Sequence, residues 1–279
     1  MSDESEDDDL PADANPSEED QEPKKGKPKP TNLPVAGSIV DVRFYRLELK
    51  FHPDIRLEKR QRGCAFATEL CELLSLERNA FESHQWEFWE PLGGTTESYF
   101  KITIVPDGIT LEAVPAATTA TEWIERRFEF VLDRFFRTLK PKLALQSSAT
   151  VHGILPVDGD ARKFLAEHLM NMETSRVGPF GRPIHVLGLR FVFPPFEKKA
   201  EDGKPHLTNW LGEARVESLT EDPSKLFLLV QGDWPEGKLW QEDGAQEAVN
   251  HLATTLDYLK SCVTLFVQQP PESSSDNNA

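Results

Sequence analysis

From Ile39 to Phe51 apolar and polar residues alternate. Val40, Val42 and Phe44 stand against Asp41 and Arg43, then Leu47, Leu49 and Phe51 against Glu48 and Lys50. Alternation with period two marks a half-buried strand, and the phase slip at Phe44–Tyr45 predicts a bulge within one long strand. After it, Phe66, Leu70, Leu73 and Leu74 make a helical stripe weakened by Gly63. "HQWEFWEP" reads as a short strand. "SYFKITIVPDGITLEAVP" reads as a hairpin turning at Pro106–Gly108, with Phe100, Ile102 and Ile104 on one arm and Ile109, Leu111 and Ala113 on the other. A long helix follows. Thr119 and Glu122 have capping-box spacing, Ile124, Phe128, Val131, Phe135 and Leu139 form the apolar face, and Pro141 ends it. Glu122–Arg126 and Asp133–Arg137 are spaced to support the exposed face.

The same order of elements then returns. "KLALQSSATVHGILPV" predicts a strand and "DGDARKFLAEHLM" a short helix, with Asp158 and Asp160 placed to cap it. "IHVLGLRFVF", "NWLGEARVESL" and "KLFLLVQGDWP" predict three more strands. A final helix carries Val249, Leu252, Leu256, Leu259, Val263 and Phe266 at three-and-four spacing. The chain therefore reads as α+β, with two pseudo-repeats of β-α-β-β-β-α in which antiparallel sheets lie on long helices. The expected division is an acidic tail over 1–34, a first repeat over 35–140, a second over 141–267 and a short tail over 268–279.

This plan resembles the helix-grip and TATA-binding-protein-like class, in which a curved sheet holds a long helix. "VLGLRFVF" also resembles the GLRY-type strand motif of a sporadically distributed bacterial family of uncharacterised proteins of about this length. "RFEFVLDRFF" and "LDYLKSCVTLF" fall where that family has its two long helices. The resemblance covers Ile39 to Val267 and implies a fold rather than a reaction.

Composition narrows the function. Met1 to Pro34 holds 11 acidic and 4 basic residues and almost nothing that can pack, which predicts disorder. "QQPPESSSDNNA" reads the same way. A net charge of −16 argues against sequence-independent nucleic-acid binding, which draws on Lys and Arg against phosphates. The acidic, h-region-free N-terminus and the lack of a long apolar run predict a protein of the cytoplasm with no membrane span. Cys64 and Cys71 lie about 10.5 Å apart along one helix, too far for a disulfide. With Cys262 they read as core thiols. No phosphate-binding, dinucleotide, zinc-protease or nucleophile-elbow motif is present, so the expectation is a non-enzymatic protein without a cofactor or bound metal.

The strand Ile184–Phe193 raises one question. Both of its faces are mostly apolar, so both should be covered, yet it carries Arg190. A covered arginine needs a carboxylate, and Glu213 or Glu217 on the next strand can supply it. Arg190 would otherwise anchor an anion or a partner's carboxylate. His185, in the same run, reads as a core histidine. Trp86, Trp89, Trp210 and Trp234 sit at strand ends, where aromatic residues serve interfaces or fill cores. The functional expectation is a protein-binding protein that works through its sheet surface or a sheet edge and self-associates. The alternative is a carrier of a small apolar or anionic ligand in a cavity between sheet and long helix.

Overall fold

A computed structural model describes residues 39–268, apart from 54, 56, 58, 94–96, 117–118, 173–181, 183, 196, 200–204, 208–209 and 240–243. The expected tail over 1–34 lies outside the described residues, as does that over 268–279 apart from Gln268, which belongs to the last helix.

The first half runs β1 (Asp41–Phe51), α1 (Arg60–Leu70), β2 (Arg78–Phe81), β3 (Trp86–Pro91), β4 (Tyr99–Val105), β5 (Gly108–Val114) and α2 (Thr121–Leu139). The second runs β6 (Leu143–Pro156), α3 (Ala161–Phe164) with a wide π turn over Leu165–Leu169, β7 (Gly188–Phe193), β8 (Glu197–Lys199), β9 (Pro205–Leu207), β10 (Leu211–Ser218) and β11 (Lys225–Leu239). It closes with α4 (Gly244–Asp257), a π segment over Tyr258–Val263 and α5 (Thr264–Gln268).

Nine strands join in one antiparallel sheet, in the order β2-β3-β4-β5-β1-β6-β11-β10-β7, and β8 pairs with β9 apart from it. The two halves thus share a sheet rather than holding one each. Its middle is the β1–β6 pair. Outward from there, one half continues through β5, β4, β3 and β2, and the other through β11, β10 and β7.

One face of the sheet carries the core. Tyr45, Leu47, Leu49 and Phe51 of β1 point to it, as do Phe100, Ile102 and Ile104 of β4 and Ile109, Leu111 and Ala113 of β5. Ile124, Phe128, Val131, Phe135 and Leu139 of α2, and Val249, Leu252 and Leu256 of α4, close over them. These side chains fill the layer between sheet and helices. The other face is open and mostly polar.

Several local expectations shift. The β1 irregularity falls between Val42 and Phe44, making Arg43 the extra residue. α2 begins after Ala120 with no side-chain cap, so Thr119 and Glu122 do not form a capping box. Asp160 does cap α3, accepting from the backbone N–H of Arg162 at 2.8 Å. Phe266 is exposed and Val267 buried, because the π segment adds a residue to the turn and delays the apolar stripe. Gly63 of α1 lies against Phe81, where a Cβ would come within 2.7 Å of the ring, so the glycine lets helix and strand approach.

All three cysteines are exposed free thiols, which corrects the core-thiol reading. They lie on the solvent side of their helices, opposite the buried stripes. Cys64, Cys71 and Cys262 are therefore expected to react with a colourimetric disulfide reagent in the folded protein. A titre that stays below three thiols per chain until denaturant is added would contradict this placement.

Candidate functional site

The strand that posed the arginine question is an edge. β7 pairs with β10 on one side, and among the described residues no strand pairs on its other side. One face of the strand is also uncovered, since Arg190 and Val192 on it are exposed, which corrects the expectation that both faces are covered. Leu187 marks the orientation of the ladder: Ser218 N donates to its carbonyl at 2.8 Å, and its own N–H donates to Ser218 Oγ at 3.1 Å. Antiparallel pairs alternate between bonded and non-bonded. Leu189, Phe191 and Phe193 therefore also turn their backbone groups to β10, while Gly188, Arg190 and Val192 turn theirs outward.

Side chains alternate with the same period. Leu189 and Phe191 lean toward the helix layer and are half-buried. Arg190 and Val192 stand on the open face, where the Arg190 side chain is 61% exposed and Val192 is 55% exposed. Arg190 is thus not a buried charge. It faces Arg215 across the ladder, and Glu213 lies between them. One Glu213 oxygen accepts from Arg190 at 2.6 Å and the other from Arg215 at 2.5 Å. The Arg190 hydrogen bond, ahead of that from Arg215, holds the Glu213 carboxyl below its ordinary range.

Glu217 is differently placed. It stands opposite Gly188, and its Cγ lies only 2.5 Å from where a Cβ on Gly188 would be. The glycine leaves a gap on the open face, and the Glu217 side chain leans into it, toward the outer rim. His185, also near this rim, is exposed rather than buried.

On the helix side an aromatic array backs the edge. Phe191 meets Phe266 edge-on at 5.3 Å and Phe193 meets Tyr258 at 5.9 Å. Tyr258, the first residue of the π segment, meets Trp210 at 5.6 Å; Trp210 stacks on Trp234 at 5.9 Å, and Trp234 on His251 at 4.2 Å. Inside, His251 Nδ1 is 3.0 Å from the buried Ser147 hydroxyl. At its outer end the array reaches solvent through Phe193 and Phe266, both partly exposed. Val186 and Val192 extend this apolar surface around the rim.

The four tryptophans singled out from the sequence separate. Trp210 and Trp234 belong to this array. Trp86 is fully buried and donates to the Leu57 carbonyl at 3.1 Å, so it is core. Trp89 lies on the open face at the far end of the sheet, beside Arg78 and Lys101. Tyr258, Phe266 and His251 were not linked to the array by sequence. Spacing assigns Phe266 to the core stripe of the last helix and does not single out Tyr258; their meeting with β7 and β10 depends on sheet order.

Two other places on the surface bear on ligands. A groove of about 840 Å³ is lined by the β1–α1 connection, α1, the β4–β5 turn and the end of α2, and it gathers Lys59, Arg62, Lys140 and Lys142. On the open face, Arg46, Glu48 and Lys50 of β1 adjoin Ser148 and Asp233 in a self-paired polar row. No group of three or more His, Cys, Asp or Glu among the described residues could hold a metal ion. No helix among them is long and apolar enough to cross a membrane. No protein-family model matches the chain, and no curated protein matches it.

Proposed function

We propose that the protein binds an extended segment of another polypeptide by strand addition at β7. The observation that carries this reading is the coincidence, on one strand, of outward backbone groups at Gly188, Arg190 and Val192 with exposed apolar side chains on either side. Edge strands are ordinarily protected by charge, shortness or cover, and an edge carrying exposed valine and phenylalanine is suited to pairing. The partner has a defined chemistry: apolar residues at alternate positions, and a cation where it crosses Gly188, because Glu217 leans there.

The order of strands outward from β1–β6 supports reading the chain as two copies of one unit in the TATA-binding-protein-like or helix-grip class. The open face mixes both signs of charge, as in the Arg46–Glu48 and Lys101–Glu87 pairs, which suits a polypeptide better than a nucleic-acid backbone.

A photo-crosslinking residue in place of Val192 tests the proposal. The expected product joins Val192 to an extended segment with alternate apolar positions, and Arg190→Pro eliminates it. On the backbone proline removes only an outward N–H at 190 and leaves the β10 ladder intact, and the ion pair lost with the side chain is one made by an exposed Arg190, so the fold should persist by circular dichroism. Crosslinks that survive Arg190→Pro, or their absence, would overturn strand addition.

A further inference from the structure

Building on the strand-addition reading, we infer that the segment β7 accepts is β7 of a second copy of this chain. Antiparallel addition pairs outward residues with outward residues. Only a few registers of a two-fold pair then place even-numbered residues opposite each other. With Arg190 opposite the partner's Arg190, like charges meet. With Arg190 opposite the partner's Val192, Gly188 falls opposite Pro194, which has no N–H to give. With Arg190 opposite the partner's Gly188, every element fits.

In that register the two-fold axis passes between the two copies of Leu189. Each Arg190 crosses the gap that the partner's Gly188 leaves and meets the partner's Glu217, which already leans into it. The contact forms twice, once on each side of the axis. If pairing continues into the residues just before β7, Val192 comes opposite the partner's Val186, which brings two exposed valines together. On the helix side Leu189 meets its own copy and Phe191 meets the partner's Leu187, with Phe266 flanking the seam. The spacing of glycine and arginine within Gly188-Leu189-Arg190 matches a two-fold axis at Leu189, because the glycine of one strand receives the arginine of the other. The charge complementarity is thus internal to one sequence, as an isologous interface requires. It also gives Arg190 a partner beyond Glu213, which it already bonds at 2.6 Å.

Sedimentation velocity of the full chain tests the inference, with circular dichroism to verify folding of each variant. The parent is expected to dimerise below about 100 µM. Glu217→Arg and Arg190→Glu should each weaken the dimer roughly tenfold or more, and the double variant should recover most of the loss, since it restores both intermolecular pairs with their signs exchanged. Arg190→Pro should abolish association. A parent that stays monomeric at that concentration overturns the inference; if its Val192 crosslinks to other proteins remain sensitive to Arg190→Pro, strand addition stands without it. A dimer lost on Arg190→Pro but indifferent to both charge reversals overturns this register. A dimer indifferent to all three variants forms through another surface and overturns the inference, and strand addition falls with it only if the Val192 crosslinks are also indifferent to Arg190→Pro.

Discussion

Arg127→Met is expected to lower the stability of the protein by about 3–5 kcal/mol, read from the urea midpoint and slope. Glu90 of β3 points to the helix side of the sheet, where its side chain is 4% exposed and that of Arg127 on α2 is 12% exposed. One carboxylate oxygen accepts from Arg127 at 3.1 Å and from Ser75 N–H at 2.9 Å. The other is buried and has no hydrogen-bond partner among the described residues. Arg127 also donates to the Leu73 carbonyl at 3.3 Å and lies over the Trp123 ring at 3.7 Å. Burial lowers the Arg127 pKa and Glu90 opposes that shift, as for a cation held in place by its counter-ion. Removing the guanidinium leaves a desolvated carboxylate, whereas removing both partners does not. Glu90→Leu combined with Arg127→Met should therefore recover most of the loss. Equal losses in the single and double variants would show that packing of Arg127 on Trp123, rather than the ion pair, is what matters.

The second large effect depends on pH. His152 sits on the open face between Phe44, stacked at 4.6 Å, and Phe227, edge-on at 5.1 Å. Burial, then the nearby Arg215 charge, holds its imidazole down at about 4. The folded pKa is below the unfolded one, so between about 6.5 and 4 the unfolded chain binds a proton that the folded chain refuses. This contribution is complete above the unfolded pKa and lost progressively as pH falls through that window. With part of the ring open to solvent it should amount to roughly 2 kcal/mol. His152→Phe keeps the ring contacts and has nothing to protonate. Its stability should fall less than the parent's between about pH 7.5 and pH 4.5, by that amount. Parallel pH profiles for the two proteins would show that His152 does not set the dependence.

Alternation identified the strand that holds Arg190 but not its place. Two apolar faces are the pattern of a central strand, and Ile184–Phe193 has them. Whether such a strand is central or an edge depends on which strands pair beside it, and those lie far away in sequence. Strand order was likewise hidden for β2, whose four residues show no alternation, and for the β8–β9 pair. The β4–β5 hairpin was fully legible because its turn and both buried faces are local. So was the stripe of α2, where the spacing alone picked out five residues that are all buried. Of the site, Arg190, Glu213, Glu217, Trp210 and Trp234 could be named from sequence, and the Arg190–Glu213 contact is present. The lean of Glu217 into the Gly188 gap could not be read, since it requires the register of β7 on β10.

The central β1–β6 pair has a consequence for how the chain is made. β1 ends at Phe51, while the strand that covers one of its sides ends at Pro156 and pairs along almost its whole length, from Asp41 opposite Ile154 to Phe51 opposite Ala144. At ribosomal speeds of roughly 5–20 residues per second, β6 follows β1 by several seconds to tens of seconds. During that time β1, with Leu47, Leu49 and Phe51 along it, has only β5 to pair with. Closing the sheet then means joining segments about a hundred residues apart, a loop entropy that slows folding relative to local pairing. The nascent first half is the stage at which this protein is most exposed to mispairing, and the stage at which a chaperone would have most to shield.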